Sequence, residues 1–235
     1  MLSEMKWTGI TAIVTLCVWY IVVPVASSAA EAPVVVPAPL IDNPKTAGPM
    51  QTAVLAGGCF WGVQGVYEHV RGVQKVLSGY AGGEKATAHY DVVSTGGTGH
   101  AESVQIVFDP KEISYGEILQ IYFSVVHDPT QLNRQGPDRG TQYRSNIFYS
   151  NDSQKKIAEA YIAQLGKANV FRGSIVTRVD ALKDFYSAEG YHQDYLIHNP
   201  QNPYIVFNDI PKIQNLKKLF AGVYRGQPVL VTDAR

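Results

Sequence analysis

Residues 58–62 read GCFWG and lie between a short apolar run, residues 53–56, and a helix-like stretch, residues 63–70. This order predicts a strand that turns directly into a helix. A cysteine at such a turn, here Cys59, lies near the free backbone N–H groups of the helix start, which favour a reactive thiolate. The alternative interpretation is a small buried cysteine beside core aromatic residues.

The N-terminal residues 1–30 predict a targeting segment. Residues 7–25 are largely apolar, and the small residues that a signal peptidase reads follow at 28–30. We expect cleavage near Ala30 and export to the periplasm or another part of the cell envelope. The apolar run is also about long enough to span a bilayer, so an uncleaved membrane anchor is the alternative, and membrane contact is expected only in that case.

The rest of the chain predicts one folded domain behind a linker. Residues 31–50 are rich in Pro, Ala and Val, a composition that favours extended chain over packed elements. We therefore assign 31–50 to a linker, 51–224 to the domain and 225–235 to a C-terminal tail. The domain has the length of a single hydrophobic core, and we expect a monomer.

Charge and cysteine content narrow the function classes. The chain has 20 basic and 20 acidic residues and no basic run, so nucleic-acid binding is not expected. Of its two cysteines, Cys17 lies in the predicted targeting segment, which leaves Cys59 alone in the exported form. A single thiol outside the cytoplasm cannot form an internal disulfide, so it must be buried or used.

Strand-like and helix-like patterns alternate along the domain. The fold class is therefore α/β (α+β), with a central mixed β-sheet, flanking helices and long irregular loops. The expected strands are 54–56, 72–80, 103–109, 147–149 and 175–179, and the expected helices are 63–70, 118–126, 152–166, 188–198 and 212–220. A capping-box pattern, Ser114 with Glu117, precedes the second helix. The lysines of the last helix are interpreted as a solvated face.

Two long segments, 81–100 and 127–145, show no regular pattern. Long irregular loops in a compact domain are functional or disordered, and the aromatic and acidic residues here favour function.

Six motifs occur in a fixed order, and together they resemble peptide methionine sulfoxide reductase A over about residues 51–224. The motifs are GCFWG (58–62), GYAGG (79–83), GHAE (99–102), HDPTQ (127–131), QGPDRGTQYRS (135–145) and YHQDYL (191–196). The resemblance implies reduction of the S epimer of methionine sulfoxide, free or in proteins and peptides, as part of protein repair.

The resemblance also implies the residue roles. Cys59 matches the nucleophile and Glu102 the acid, while Tyr90 and Tyr143 match two phenols that hydrogen-bond the sulfoxide oxygen. A sulfoxide needs both a nucleophile and a proton donor because its oxygen is a poor leaving group. Glu102 would have to be protonated near neutral pH, which an apolar setting achieves.

The substrate wall is implied in the same way. Phe60 and Trp61 match the surface that receives the substrate's ε-methyl group. Asp138 and Tyr204 match positions near the substrate or the recycling site, although Asp138 serving only as a loop anchor is an alternative. His192 and Asp194 are interpreted as structural.

Recycling must differ from that of relatives with a second, resolving cysteine near the C-terminus. The matching position holds Ile205, so the oxidised Cys59 would need an external thiol: a thioredoxin-like protein, a glutaredoxin-like protein or a small thiol. No bound cofactor and no metal are expected.

Two rival functions remain. Cys59 could pair with a histidine in a hydrolase or acyltransferase, although no motif selects among His89, His100, His127 and His192. A methionine- or peptide-binding protein with a degenerate site is the non-enzymatic alternative. The histidines are too scattered to predict a metal site.

Overall fold

The structure is a computed structural model that describes residues 32–231. Its strands are β1 (Gln51–Gly57), β2 (Val73–Ala81), β3 (Ala101–Phe108), β4 (Arg134–Gln135), β5 (Asp138–Arg139), β6 (Ser145–Tyr149), β7 (Arg178–Ala181) and β8 (Phe185–Ser187). Its α-helices are α1 (Phe60–Glu68), α2 (Tyr90–Val93), α3 (Tyr115–Ile121), α4 (Asp152–Ala168), α5 (Tyr195–His198) and α6 (Ile210–Leu219).

Six strands form one mixed sheet in the order β7-β6-β1-β3-β2-β8. Each neighbouring pair is antiparallel apart from β6 and β7, which run parallel. The short strands β4 and β5 pair separately. The predicted fold class, one domain with a mixed sheet and flanking helices, is confirmed.

The main core lies between the sheet and the helices. Alternate residues of the central strands, such as Leu55 and Ile106, face this core together with Val63 and Val66 of α1. The residues between them, such as Val54, face a smaller cluster on the other side. This alternation follows from the period of two along a strand. Helix α1 packs against β2 and β3 on the side of the sheet that faces the main core.

Helix α3 begins as its sequence predicts. The Ser114 side chain accepts from the backbone N–H of Glu117, and the Glu117 carboxylate accepts from the backbone N–H of Ser114. The predicted helix 118–126 is present, but it changes type at Tyr122, where the α-helix gives way to a π-helix over Tyr122–Val126. The Tyr122 hydroxyl donates to the carbonyl oxygen of Ala56 at 2.6 Å, which ties this segment to β1.

Two other predicted elements are also corrected. The strand expected at 175–179 begins only at Arg178, because Val176 donates instead to the carbonyl of Pro129 in the preceding loop. The helix expected at 188–198 is split into a 3₁₀ turn, Gly190–His192, and α5. Asp194 interrupts it with a left-handed backbone (φ +54°), and its N–H donates to Gln64.

Residues 32–50 have no helix or strand, as their composition predicts, but they pack along the domain. Val36 is buried in the main core, and the backbone N–H of Val34 donates to the carbonyl of Ser124. The Tyr161 hydroxyl of α4 donates to the carbonyl of Pro37 at 2.7 Å. The sequence did not predict this docking, because a proline-rich stretch shows no periodicity.

The predicted targeting segment, residues 1–30, lies outside the described residues. Within residues 32–231, the search for a helix with the length and apolarity needed to cross a bilayer found none.

Candidate active site

The turn between β1 and α1 places Cys59 at the start of the helix. Gly58 has φ +91°, and a Cβ atom there would lie 2.6 Å from the Gln135 side chain, so only glycine fits. Cys59 follows as the residue that caps α1, and its side chain is 8 % exposed. The predicted strand-to-helix turn is therefore present.

The helix start does act in favour of the thiolate, but the surroundings of Cys59 oppose this effect more strongly. Burial raises the pKa of the Cys59 thiol well above its usual value, and the carboxyl groups of Glu102, Asp209 and Asp138 add to the rise. A hydrogen bond from the backbone of Trp61 at the helix start acts in the opposite direction but is the smallest contribution. Desolvation therefore outweighs the helix terminus, and the sulfur rests as a thiol.

Glu102 reaches the same turn from the second residue of β3. Its carboxyl group is buried, 3 % exposed, and Oε2 accepts from the backbone N–H of Phe60 at 3.0 Å. Burial raises the pKa of Glu102 to about 8, although the Phe60 hydrogen bond lowers it. At neutral pH the group therefore carries a proton that it can donate.

Two phenol groups from the long loops complete the polar side. Tyr90 begins α2, where its backbone N–H donates to Glu189 at 3.0 Å, and Tyr143 ends the 3₁₀ turn Thr141–Tyr143. Burial, followed by the charge of Glu102, raises the pKa of both tyrosines. Both hydroxyls therefore remain protonated and act as uncharged hydrogen-bond donors.

The apolar side is built from α1 and a second layer behind it. Phe60 is 1 % exposed, and the Trp61 ring stacks on Tyr195 with ring centres 3.8 Å apart. The Trp61 indole N–H donates to His192 Nδ1 at 3.1 Å, which makes His192 an acceptor on that nitrogen. These contacts fix the plane of the indole ring at the cavity wall.

Asp138 and Tyr204 meet across the cavity. The Tyr204 hydroxyl donates to Asp138 Oδ2, which joins the start of β5 to the segment before α6. The Tyr204 ring also lies edge-on to Trp61, at 6.0 Å between centres. The pair thus forms part of the cavity wall.

The structure brings all eight predicted site residues to one cavity of about 190 Å³. They are Cys59, Phe60, Trp61, Tyr90, Glu102, Asp138, Tyr143 and Tyr204. The cavity is large enough for a thioether-sized side chain and too small for a folded peptide segment. The chemical role of each of these eight residues stays a prediction.

Four supporting residues were not predicted. Glu189 accepts from both the Tyr80 hydroxyl and the Tyr90 backbone, Tyr195 stacks on Trp61, and Asp209 pairs with Lys212 below α1. The interpretation of the last helix as solvated is wrong for Lys212, which is only 8 % exposed. The one available signal was the spacing of Asp209 and Lys212, three residues apart, which suits an ion pair on a helix.

The structure weakens the rival histidine-based hydrolase. No histidine lines the cavity around Cys59. His127 is buried beside Tyr122, and burial lowers its pKa to about 3. Across residues 32–231, no three His, Cys, Asp or Glu side chains are grouped as a metal ion would require.

A buried thiol, a protonated carboxyl group and two phenols around one small cavity define a site for nucleophilic attack with proton supply. Comparison with known proteins gives the class. The family model described as peptide methionine sulfoxide reductase matches residues 51–222. Peptide methionine sulfoxide reductase MsrA 2 of Mesorhizobium japonicum is 60 % identical over 190 residues, covering 81 % of this chain and 97 % of that protein. A Synechocystis protein of the same name is 50 % identical over 196 residues, 82 % of this chain and 92 % of its own.

Solved structures of similar proteins support the same class. Mxr1 from Saccharomyces cerevisiae in reduced form matches with a TM-score of 0.59 at 36 % identity, over 67 % of this chain and 91 % of that one. Methionine sulfoxide reductase A of Corynebacterium diphtheriae matches with a TM-score of 0.56 at 32 % identity, over 76 % and 92 %. The chain therefore belongs to the peptide methionine sulfoxide reductase family, and it is an oxidoreductase of the A type.

Proposed function

We propose that this enzyme reduces the S epimer of methionine sulfoxide through Cys59, with recycling by an external thiol. The observation that carries the proposal is the shared cavity of Cys59, Glu102, Tyr90 and Tyr143. The family supports the reaction class, and the geometry supports the division of labour among these residues.

In the first half-reaction, the Cys59 sulfur attacks the sulfoxide sulfur while the sulfoxide oxygen takes up the proton of Glu102. The phenols of Tyr90 and Tyr143 donate hydrogen bonds to that oxygen as it gains negative charge. The thiol proton of Cys59 passes to the carboxylate that Glu102 leaves behind. The substrate's S–O bond then breaks as the hydroxyl oxygen moves to the Cys59 sulfur, and the bond between the two sulfurs breaks as methionine departs. Cys59 is left as a sulfenic acid, oxidised by two electrons, and the sulfoxide sulfur has been reduced by two electrons.

Epimer selection would follow from the two sides of the cavity. The tyrosine hydroxyls fix the sulfoxide oxygen, and the Phe60 and Trp61 rings accept the ε-methyl group. With its main chain in the same opening, the R epimer cannot place its oxygen at the tyrosine hydroxyls and its ε-methyl group at the rings at the same time. One methyl pocket alone supplies only about 1–3 kcal/mol, so the fixed oxygen site is required for strict selection.

Recycling requires a thiol from outside the described domain. Cys59 is the single cysteine within residues 32–231, and Ile205 follows Tyr204 where a resolving cysteine was sought. One external thiol displaces water from the sulfenic acid to form a mixed disulfide, and a second thiol releases Cys59 as the reduced form. The donor class is a thioredoxin-like protein, a glutaredoxin-like protein or a small thiol.

We also propose that the enzyme acts outside the cytoplasm, on oxidised methionines of envelope proteins. The apolar stretch at 7–25 and the small residues before Glu31 support this location. Determining the N-terminal residue of the protein isolated from its own cell distinguishes cleavage near Ala30 from an intact membrane anchor.

The activity is tested with the separated S and R sulfoxides of a blocked methionine and dithiothreitol as donor. We expect turnover of the S epimer alone. Turnover of neither epimer by folded protein with a free Cys59, or ester hydrolysis without thiol, would contradict the proposal.

A further inference from the structure

Asp209 lies below the first turn of α1, outside the group of residues that the proposed reaction uses. It is 0 % exposed and ends the π-helix Ile205–Asp209 that follows Tyr204. Gly62, in the first turn of α1, makes the approach possible, because a Cβ atom there would lie 2.1 Å from Asp209 Oδ1. A buried carboxylate thus occupies the space that a side chain of the catalytic helix would otherwise fill.

The charge of Asp209 is held in place by one cation. Lys212 Nζ lies 3.4 Å from Asp209 Oδ1, and Lys212 itself is 8 % exposed. Within residues 32–231, neither oxygen of Asp209 accepts a hydrogen bond. Burial raises the pKa of Asp209 to about 6, although the Lys212 ammonium group lowers it, so the carboxyl group is mostly ionised at pH 7.

Stability does not explain this ion pair. Desolvating two charges costs about as much as their attraction returns, and hydrophobic residues of similar volume serve as well or better. Because the pair lies beside the first turn of the helix that carries Cys59, its charges act on the site at short range.

The titratable groups around Cys59 are all acids: carboxyl groups and phenols. The titratable groups around its sulfur are Glu102 from β3, Asp138 from β5, Tyr90, Tyr143, Tyr204 and Asp209. Glu102 rests protonated, and Asp138 accepts from Tyr204, so the carboxylate of Asp209, paired with Lys212 alone, is a distinct source of negative charge. Asp209 raises the pKa of both Cys59 and Glu102.

We propose that Asp209 is a positioning residue that acts through Cys59: its buried charge, anchored by Lys212, adds to the effect of burial in keeping the sulfur of the empty site as a thiol, which protects it from stray electrophiles and peroxide. The inference rests on the proposed function, in which Cys59 is the nucleophile. Protection matters here because the domain has no second cysteine to rescue an oxidised Cys59.

The protection follows from the chemistry of the thiolate. A thiolate attacks hydrogen peroxide, takes one oxygen, and releases the other as water, while a neutral thiol reacts far more slowly. A repeat of this step on the sulfenic acid gives an irreversible sulfinic acid. A lower thiolate fraction in the empty site therefore slows both the first and the damaging second oxidation.

The test is the pH dependence of Cys59 alkylation by iodoacetamide, measured on the full chain at the level of the Cys59 peptide. For Asp209→Asn we expect the rate at pH 7 to rise about three- to tenfold and the profile to move to lower pH. For Lys212→Gln we expect a slower rate than wild type at pH 9, because the charge of Asp209 is then uncompensated. Asp184→Asn, which removes an exposed carboxylate, is the matched control and should follow wild type.

The opposite signs of the two variants separate an electrostatic role from loss of structure. Unfolding would expose Cys59 and speed alkylation in both variants, so an increase in both contradicts the inference. An Asp209→Asn profile that superimposes on wild type contradicts it as well. Peroxide treatment should also give faster sulfinic acid formation in Asp209→Asn. Failure of the proposed function would be recognised separately, by S-sulfoxide turnover that survives Cys59→Ser.

Discussion

The two halves of the site are built in different ways. One half comes from regular elements: Cys59 caps α1, and Glu102 lies in the central strand β3. The other half comes from short turns and helical fragments between residues 189 and 212, which contribute Tyr204, Tyr195 and the Asp209–Lys212 pair. The nucleophile and the acid therefore lie on regular elements, while the irregular half orients the wall and sets the local charge.

This contrast predicts that substitutions in the regular half abolish or strongly reduce chemistry, while those in the irregular half have graded effects. The largest effect is expected for Cys59→Ser. It should abolish reduction of the S epimer, because no other thiol lies in the described domain. Steady-state turnover with dithiothreitol checks this, with Cys17→Ser as the matched control that keeps full activity. Thiol-dependent activity in Cys59→Ser would remove the mechanism.

Glu102→Gln should be the next largest change. The amide keeps the shape of the group and cannot transfer a proton, so we expect kcat to fall by about 10²–10⁴-fold with little change in substrate binding. Single-turnover kinetics and binding of the product methionine measure the two quantities. A near-normal rate would reduce Glu102 to a structural residue and remove the distinction between the two halves.

The pH dependence of the free energy of unfolding tests whether Glu102 is buried and protonated in the folded protein. Because the pKa of Glu102 is raised to about 8 in the fold, the folded state holds a proton that the unfolded chain has released between about pH 4.5 and 8. The contribution of Glu102 to the free energy of unfolding should thus fall as pH rises through this window, by about 1 kcal/mol per unit. Denaturant unfolding of wild type and Glu102→Gln tests it, and equal pH slopes would contradict a buried, protonated Glu102.

Tyr204→Phe should have an intermediate effect in the irregular half. It removes the hydroxyl that donates to Asp138 but keeps the ring that faces Trp61. We expect a loss in kcat/KM of about ten- to a hundredfold, as for one hydrogen bond to a charged group. A loss as large as that of Glu102→Gln would place Tyr204 among the reacting groups instead.

The smallest effect is expected for Tyr195→Phe. The stacked ring that supports Trp61 remains, and only the hydroxyl that accepts from Asn202 at 3.2 Å is lost. Activity should stay within about twofold of wild type, while Tyr195→Ala, which removes the ring, should weaken substrate binding. Equal losses in both variants would show that the hydroxyl, not the stacking, supports the wall.

The division between a regular and an irregular half also explains which parts of the fold and the site the sequence predicted. The GCFWG turn and the alternating pattern of β3 are short-range signals, so β1, α1, most of β3 and the position of Cys59 followed from them, while Glu102 was singled out by the family resemblance of GHAE. The capping box of α3 was equally local.

The irregular half depends on contacts between distant segments, which periodicity does not reveal. Tyr195 meets Trp61, and Asp209 meets Gly62, only because the fold brings α5 and α6 against α1. The net pKa shift of Cys59 could not be predicted from the sequence for the same reason, since the helix start is local while burial and the surrounding carboxyl groups are not.

The central claim, oxygen transfer to Cys59 without an internal disulfide, is tested most directly by one turnover in the absence of thiol. The enzyme is mixed with excess S-sulfoxide, and the product and the mass of the Cys59 peptide are measured. We predict one methionine per enzyme and a Cys59 that gains a single oxygen, which a thiol then removes. A loss of two hydrogens with no added oxygen, or methionine formed with an unchanged Cys59, would contradict the account.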